Sequence, residues 1–442
     1  MSESINNAPS NQYEAFLHQL PVDWGLKEIK QIGTVIGGGT PSRDVADFWR
    51  GSIPWVTPGE VSGEVGKILH ETSDHISPSG LAGSGANLLP AGSLLVTTRA
   101  TLGARLINAV PMATNQGFKS IIFNQPEAAS FYYHLFEKIK PELVRRASGT
   151  TFLEISGTEF GSINLPNPSP EEKLKIAKLL DTVDTAIHET KSMIVKLKAL
   201  KQGLLHDLLT RGIDSNGELR TPWSEAPHLY KGSPLGWIPK EWQTRPIHEM
   251  GEVVTGSTPP SHAPHSWGFG VPFVTPGDLD EGGLISNTER QISEHGQRYV
   301  RLLPAGSSLV VCIGSTIGKV GFNQQIACTN QQINAVAPLK GTDNIFLFHA
   351  LQKLSGRLQA LAGLQAVPIV NKSSFQSIEM ECPPNVEQVA MSQRVLAISE
   401  RLQAEQKLLG KLRRQKIGLM DDLLSGRVRV TPMLEGINQG SA

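Results

Sequence analysis

Side chains able to do acid-base, nucleophilic or metal chemistry are present in this sequence, but not in the spacings such chemistry needs. His262 and His265, with Asp278 nearby, could offer nitrogen and oxygen donors to a metal ion. The corresponding stretch of an earlier, similar segment carries Arg43, Asp44 and Asp47 and no histidine, so an ordinary surface loop is the favoured reading. Asn167-Pro168-Ser169-Pro170 lacks an aromatic that could stack on a flipped base, and reads as a proline-rich helix entrance. There is no glycine-rich loop followed by Lys-Ser/Thr, no His-Glu-x-x-His and no Gly-x-Ser-x-Gly. Cys312, Cys328 and Cys382 form no Cys-x-x-Cys pair, which argues against a disulfide framework or a cysteine-based metal site. The chain therefore reads as having no catalytic residues and no metal of its own. Recognition and assembly remain.

The element that must position any recognition surface is a long amphipathic helix over Glu171–Arg211. Ile176, Leu180, Val183, Ile187, Ile194, Leu197, Leu204 and Leu208 fall on one stripe, with Thr190 at a polar step. This is a heptad seam, the pattern by which one helix pairs with another. At 1.5 Å per residue such a helix runs roughly 60 Å, too long for one small core. About 215 residues on, the seam recurs as Met391, Val395, Ile398, Leu402, Leu409, Leu412, Leu419 and Leu423, and Glu405 takes the polar step. Two equal seams predict a coiled coil within the chain, its strands antiparallel. The competing reading packs each helix on its own neighbouring domain.

The segments before the helices are duplicated too. Leu20-Pro21-Val22-Asp23-Trp24 answers to Ile238-Pro239-Lys240-Glu241-Trp242, and Pro54-Trp55-Val56-Thr57-Pro58-Gly59 to Pro272-Phe273-Val274-Thr275-Pro276-Gly277. Leu89-Pro90-Ala91-Gly92-Ser93 recurs as Leu303-Pro304-Ala305-Gly306-Ser307, and Thr114-Asn115-Gln116 as Thr329-Asn330-Gln331. A period this long is a duplicated domain pair, not a solenoid. Short β-prone runs (93–98, 120–123 and 308–313) lie between Gly and Pro turns, and helices are expected near 129–138 and 345–354. The fold class is α+β: two duplicated α+β modules separated by two long helices. The expected layout is a flexible lead-in (1–19), a first module (20–168), a central long helix (169–212), an extended and mobile linker (213–237), a second module (238–382), a C-terminal long helix (383–427) and a tail (428–442).

Composition sets further bounds. The 442 residues include 43 Gly and 29 Pro, consistent with turn-rich modules. The start, Met1-Ser2-Glu3-Ser4, lacks a basic-then-apolar signal, and no apolar run approaches the ~20 residues of a membrane span. A reducing cytoplasm fits. The 41 basic and 41 acidic residues leave no net charge, which counts against a nucleic-acid ligand unless other subunits supply phosphate neutralisation.

The ordered, twice-repeated set of motifs resembles the specificity subunit of type I DNA restriction-modification systems. It comprises the Ile-Pro-x-x-Trp start, Pro-x-x-Thr-Pro-Gly, Pro-x-Gly-Ser, Thr-Asn-Gln, Ser148-Gly149-Thr150-Thr151 before a proline-rich helix start, and Gly314-Ser315-Thr316-Ile317-Gly318. The resemblance covers roughly residues 20–428. It implies a non-catalytic DNA reader in which each module, a target recognition domain, reads half of an asymmetric bipartite site. The paired helices would then space the modules and dock two methyltransferase subunits, with a restriction translocase able to join. S-adenosylmethionine, ATP and magnesium would belong to those partners. The alternative is a coiled-coil scaffold whose β-rich modules bind protein or carbohydrate.

If the resemblance holds, residues shared by both modules cannot explain a difference in what they read. Thr57-Pro58-Gly59, Pro90, Gly92 and Thr114-Asn115-Gln116, with their repeats, are then scaffold or phosphate contacts. Base readers belong where the copies diverge: Arg43 in one loop, and Ser261, His262 and His265 in the other. Arg99 faces Ile313 and Arg105 faces Val320 in the alignment of the copies, while Arg145, Arg146 and Thr150 sit at the Ser-Gly-Thr-Thr loop. Ser315, Thr316 and Lys319 complete the candidates. Arginine to guanine is the commonest specific pairing, and a solvated surface arginine is the plain alternative for each. The second module carries Ala362-Gly363-Leu364-Gln365-Ala366-Val367-Pro368 where Ser-Gly-Thr-Thr would be expected, which puts an equivalent contact there in doubt.

Overall fold

Both copies of the Pro-Ala-Gly-Ser run turn on a glycine and close on a buried asparagine. Gly92 and Gly306 hold φ of +83° and +85°, where a Cβ is strained. Asn108 accepts from the Ser93 amide (2.8 Å) and donates to the carbonyls of Pro90 and Val110 (both 2.9 Å). Asn323 makes the same bonds with Ser307, Pro304 and Gln325 at 2.7, 2.9 and 2.9 Å. The repeated motif is thus a turn whose polar groups are satisfied from the next strand.

The structure is a computed structural model describing residues 12–61, 66–149, 153–260, 262–279, 283–285, 287–363 and 368–430. Two units emerge, residues 1–193 with 405–442, and residues 194–404.

In the first unit a five-stranded sheet runs in the order Gly33–Gly37, Phe118–Phe123, Leu94–Thr97, Arg105–Asn108, Ile68–Leu69. A three-stranded sheet has Ile53–Val56 between Asp74–Ile76 and Ala113–Thr114. Leu94–Thr97 is buried throughout, as a central strand covered on both faces must be, and its one polar side chain, Thr97, donates to the Ala104 carbonyl at 3.1 Å. Helix Ala129–Arg146 lays Phe131, Leu135, Phe136, Ile139 and Leu143 into the core by steps of one, three and four, all fully buried. Each contributes roughly 1.5–3 kcal/mol of burial before the entropy of ordering is counted. The module closes on an antiparallel pair, Gly25–Glu28 with Asn164–Asn167.

The second unit repeats this arrangement. Its five-stranded sheet runs Gly251–Thr255, Ile333–Pro338, Ser308–Val311, Val320–Asn323, Leu284–Ile285, and its three-stranded sheet has Trp267–Val274 between Arg290–Ile292 and Cys328–Thr329. The core helix is divided into Asn344–Lys353 and Ser355–Ala362, and Gln243–Pro246 pairs with Glu379–Cys382 to close the module.

The long helices span Pro170–Thr210 and Asn385–Leu424. In the first unit Lys416 of the second helix meets Asp184 of the first at 2.5 Å, and Ile176 and Leu180 share a core with Met420, Leu423 and Leu424. In the second unit Leu208 shares a core with Met391 and Val395. Late residues of each helix meet early residues of the other, so the pairing is antiparallel. Every position of both seams is buried or half-buried. Thr190 is buried as well, its hydroxyl returned to the Ala186 carbonyl at 2.7 Å, which lets a polar residue occupy the seam.

Two expectations about the connecting segments, the linker and the lead-in, are corrected. Residues 213–237 are not an extended mobile linker. Ile213, Ala226 and Tyr230 are buried, Tyr230–Ser233 and Gly236–Pro239 form a hairpin, and Arg220 is bound by Glu387. The described part of the lead-in is helix Gln12–His18, with Tyr13 buried and its hydroxyl donating to the Asn164 carbonyl at 2.6 Å. The described start of the tail is held by Arg429, which donates to Asp23 (2.7 Å) and Glu172 (2.8 Å). Gly, Pro and polar residues signal turns, but ion pairs between residues far apart in sequence tie these turns down.

Candidate nucleic-acid interface

The tryptophan repeated as Trp49 and Trp267 carries a guanidinium in both modules. The Arg43 guanidinium carbon lies 3.4 Å from the Trp49 ring centre, and that of Arg290 lies 3.3 Å from Trp267. A cation over an aromatic face is attracted by the ring quadrupole and fixed in plane. Each tryptophan in turn meets the next aromatic edge-on, Trp55 at 4.9 Å and Phe273 at 5.0 Å.

The two arginines come from different places. Arg43 reaches in from the loop after Gly33–Gly37. Arg290 stands on the neighbouring strand opposite Phe273, where the first module has Asp74 opposite Trp55. Asp74 holds Arg43 at 2.7 Å. Arg290 has no ion pair among the described residues.

The other sequence candidates separate into structural and exposed groups. Arg105 is mostly buried, donating to the Tyr133 carbonyl and to Glu137 at 2.9 Å. Arg145 and Arg146 both bind Glu142, at 2.7 and 2.6 Å, and Arg146 also donates to Ser162. These three arginines have structural partners that leave few donors for a ligand. Burial would raise the Glu142 carboxyl, but the two guanidiniums outweigh it and hold the carboxyl below its usual range.

Arg99 is exposed, 3.8 Å from Glu154, beside Ala100 at φ +60°. Gly314 stands at the matching place in the second module with φ +102°. A non-glycine residue in that region is a strained position of the kind often found at functional loops. Ser315 and Lys319 are exposed on the matching turn, and Thr316 is half-buried. His262 and His265 are exposed. Thr150 and Ser261 lie outside the described residues, as does most of the stretch 362–368.

The shared Thr-Asn-Gln positions are committed to internal bonds. Thr40 donates to Gln116, and Thr258 to Gln331 at 2.7 Å. Asn115 and Asn330 accept from the amides two residues on, at 2.9 and 3.1 Å.

Asp278 accepts from Thr275 and from the Glu289 amide and so caps a turn, which leaves the histidines nearby without it as a metal partner. One group among the described residues has donor atoms close enough for a cation: His134, Asp181 and Asp184, within 4.8 Å of one another. Lys67 sits 2.5 Å from Asp181 and Lys416 2.5 Å from Asp184. The two ammonium groups supply the positive charge a metal would bring, and the cluster reads as an ion-pair network. Burial pushes the His134 imidazole down, against the pull of Asp181 and Asp184.

Sequence reasoning missed Arg290, Asp74 and Phe269. A usable signal was present: Trp267-Gly268-Phe269-Gly270 places an aromatic between glycines where the first module has Trp49-Arg50-Gly51-Ser52.

Among the described residues no helix is long and apolar enough to cross a membrane. Residues 21–197 and 239–414 each match the sequence pattern described as type I restriction modification DNA specificity domain. The chain is similar to the type I restriction enzyme MjaIX specificity subunit of Methanocaldococcus jannaschii, 30% identical over 62% of each chain. It is also similar to the putative type I restriction enzyme MjaX specificity subunit of that organism, 24% identical over 67% of this chain and 65% of the other. Each alignment thus spans less than two thirds of the relative. The fold is that of the type I restriction-modification system S subunit from M. genitalium, with a TM-score of 0.59 at 14% identity, covering 92% of this chain and 98% of that one.

Proposed function

The chain belongs to the type I restriction-modification DNA specificity family, and on that premise we propose that it is the non-catalytic sequence reader of such a complex. Each module reads one half of an asymmetric bipartite site on double-stranded DNA. The paired long helices set the spacing of the halves and dock two methyltransferase subunits, which bring S-adenosylmethionine. A restriction subunit, when present, brings ATP and magnesium chemistry.

One observation carries the division of labour. The modules share sheet order and internal bonds yet offer different groups at the same place, Arg43 tied to Asp74 in one and, in the other, Arg290 with no ion pair among the described residues. A common frame with divergent exposed donors is what two readers of different half-sites require, because bases are told apart by the donors and acceptors set against their edges. Zero net charge fits a reader whose partner subunits share in neutralising phosphates.

Module exchange tests the reading. Replacing residues 20–168 with the matching module of a relative, in the presence of methyltransferase subunits, is expected to change one half of the methylated motif. A change in both halves would show that the modules do not read independently. Methylation or cleavage by the purified chain alone would overturn the non-catalytic assignment.

A further inference from the structure

The strand Trp267–Val274 carries a bulge that lifts one aromatic ring into solvent. Trp267 and Val271 both pair with Ile292, so Gly268, Phe269 and Gly270 arch out between them. Gly268 holds φ +148°, and a Cβ on Gly270 would stand 2.1 Å from the Ile292 carbonyl oxygen. Both glycines are needed for the arch. Phe269 at its crown is 97% exposed. With Arg290, Thr288 and Glu289 it borders an open recess of about 440 Å³.

The chemistry of this recess favours a base edge over a phosphate. Arg290 lies flat on Trp267 with its donors uncommitted to any carboxylate among the described residues. Exposed Glu289 beside it would repel a phosphate, whereas a carboxylate accepts readily from the cytosine amino group of a G·C pair. A planar guanidinium matches O6 and N7 of guanine, and an apolar ring matches the thymine methyl; both lie in the major groove. The first module has no aromatic between Trp49 and Ile53, and its Arg43 is tied to Asp74. The element therefore distinguishes the two readers.

Resting on the DNA-reading function proposed above, we infer that Arg290 and Phe269 are specificity-determining residues of the second module. Arg290 donates to O6 and N7 of a guanine, and Phe269 covers the methyl group of an adjacent thymine.

The test uses the full chain assembled with its methyltransferase subunits. Methylated sites mapped across a genome define the motif, and module exchange assigns its second half. Duplexes then carry 7-deazaguanine or deoxyuridine at each position of that half. One 7-deazaguanine is expected to weaken binding by about tenfold, and deoxyuridine at its neighbour by about fourfold, the value of one methyl group. Arg290→Met is expected to abolish only the first penalty and Phe269→Ala only the second, with the first module's half-site unchanged as the internal control. Penalties retained in both variants, or an unaltered methylated motif, would overturn the inference while leaving the proposed function standing. Failure of the unsubstituted complex to bind any sequence preferentially would overturn the proposed function itself.

Discussion

Glu387 and Arg220 form a closed ion pair near the start of the second long helix. The guanidinium meets both carboxylate oxygens, at 2.5 and 3.0 Å, and the side chains are 9% and 8% exposed. The same carboxylate also accepts from the Trp242 indole (3.1 Å) and the Ile213 amide (3.0 Å). One group thus fastens the end of the first long helix, the segment after it and the start of the second module. Removing one partner of such a pair leaves a buried charge without compensation. Glu387→Ala is expected to cost about 3–5 kcal/mol. Glu172, its repeat, serves Arg429, a guanidinium that is more open and also bound by Asp23, so Glu172→Ala should cost less. Urea unfolding followed by circular dichroism measures both; equal losses below about 1 kcal/mol would refute the assigned role.

Stability is expected to fall with acid through His349. Its imidazole is buried in the second unit, and desolvation pushes its pKa down to about 4 from 6.5, with a bond to Gln352 acting in the opposite direction. Between those values the unfolded chain binds the proton and the folded chain does not. The contribution is therefore complete above pH 6.5 and is lost as pH falls toward 4. At 1.36 kcal/mol per unit it amounts to about 3 kcal/mol. His349→Leu should flatten the dependence of the urea midpoint on pH between 6.5 and 4.5. An unchanged slope would show that the histidine is not the titrating group.

Arg105 and Arg43 should behave oppositely. Arg105→Ala removes the bonds to Tyr133 and Glu137 and is expected to lower stability by about 1–3 kcal/mol while leaving the methylated motif intact. Arg43→Ala removes an exposed guanidinium stacked on Trp49, so it should alter or relax one position of the motif with little loss of stability. Methylome sequencing of both variants, beside thermal melting, decides the matter. A motif change in Arg105→Ala would reverse the assignment.

The spacing role proposed for the helices predicts the outcome of an insertion. Four residues, Leu-Lys-Ala-Leu, placed after Leu200 add ~6 Å of helix, nearly the rise of two base pairs at ~3.4 Å each. The unspecified gap in the methylated motif should lengthen by one base pair or two, with the bases on either side unchanged. A folded, active variant that keeps its original gap would assign the spacing to the partner subunits.

The helices and the duplication were legible because both are written locally. Seam positions recur at heptad intervals, and Asn108 and Asn323 lie within a short distance of the turns they close. The ion pairs were not legible. Arg220 with Glu387, and Arg429 with Glu172, join residues whose proximity arises only after folding, so composition alone read their segments as linker and tail. The candidate readers divided for the same reason: Arg105 and Arg43 look alike as letters, and only the neighbours supplied by other elements make one a structural tie and the other an exposed donor. Arg290 was missed because the same stack on tryptophan is delivered from a loop in the first module, by Arg43, and from a strand in the second.

Each module begins and ends on two strands paired with each other, Gly25–Glu28 with Asn164–Asn167 and Gln243–Pro246 with Glu379–Cys382. The backbone thus enters and leaves every module through the same narrow neck. Because both ends of a module stay paired at this neck, loops that do not touch the long helices can change length without shifting the heptad register.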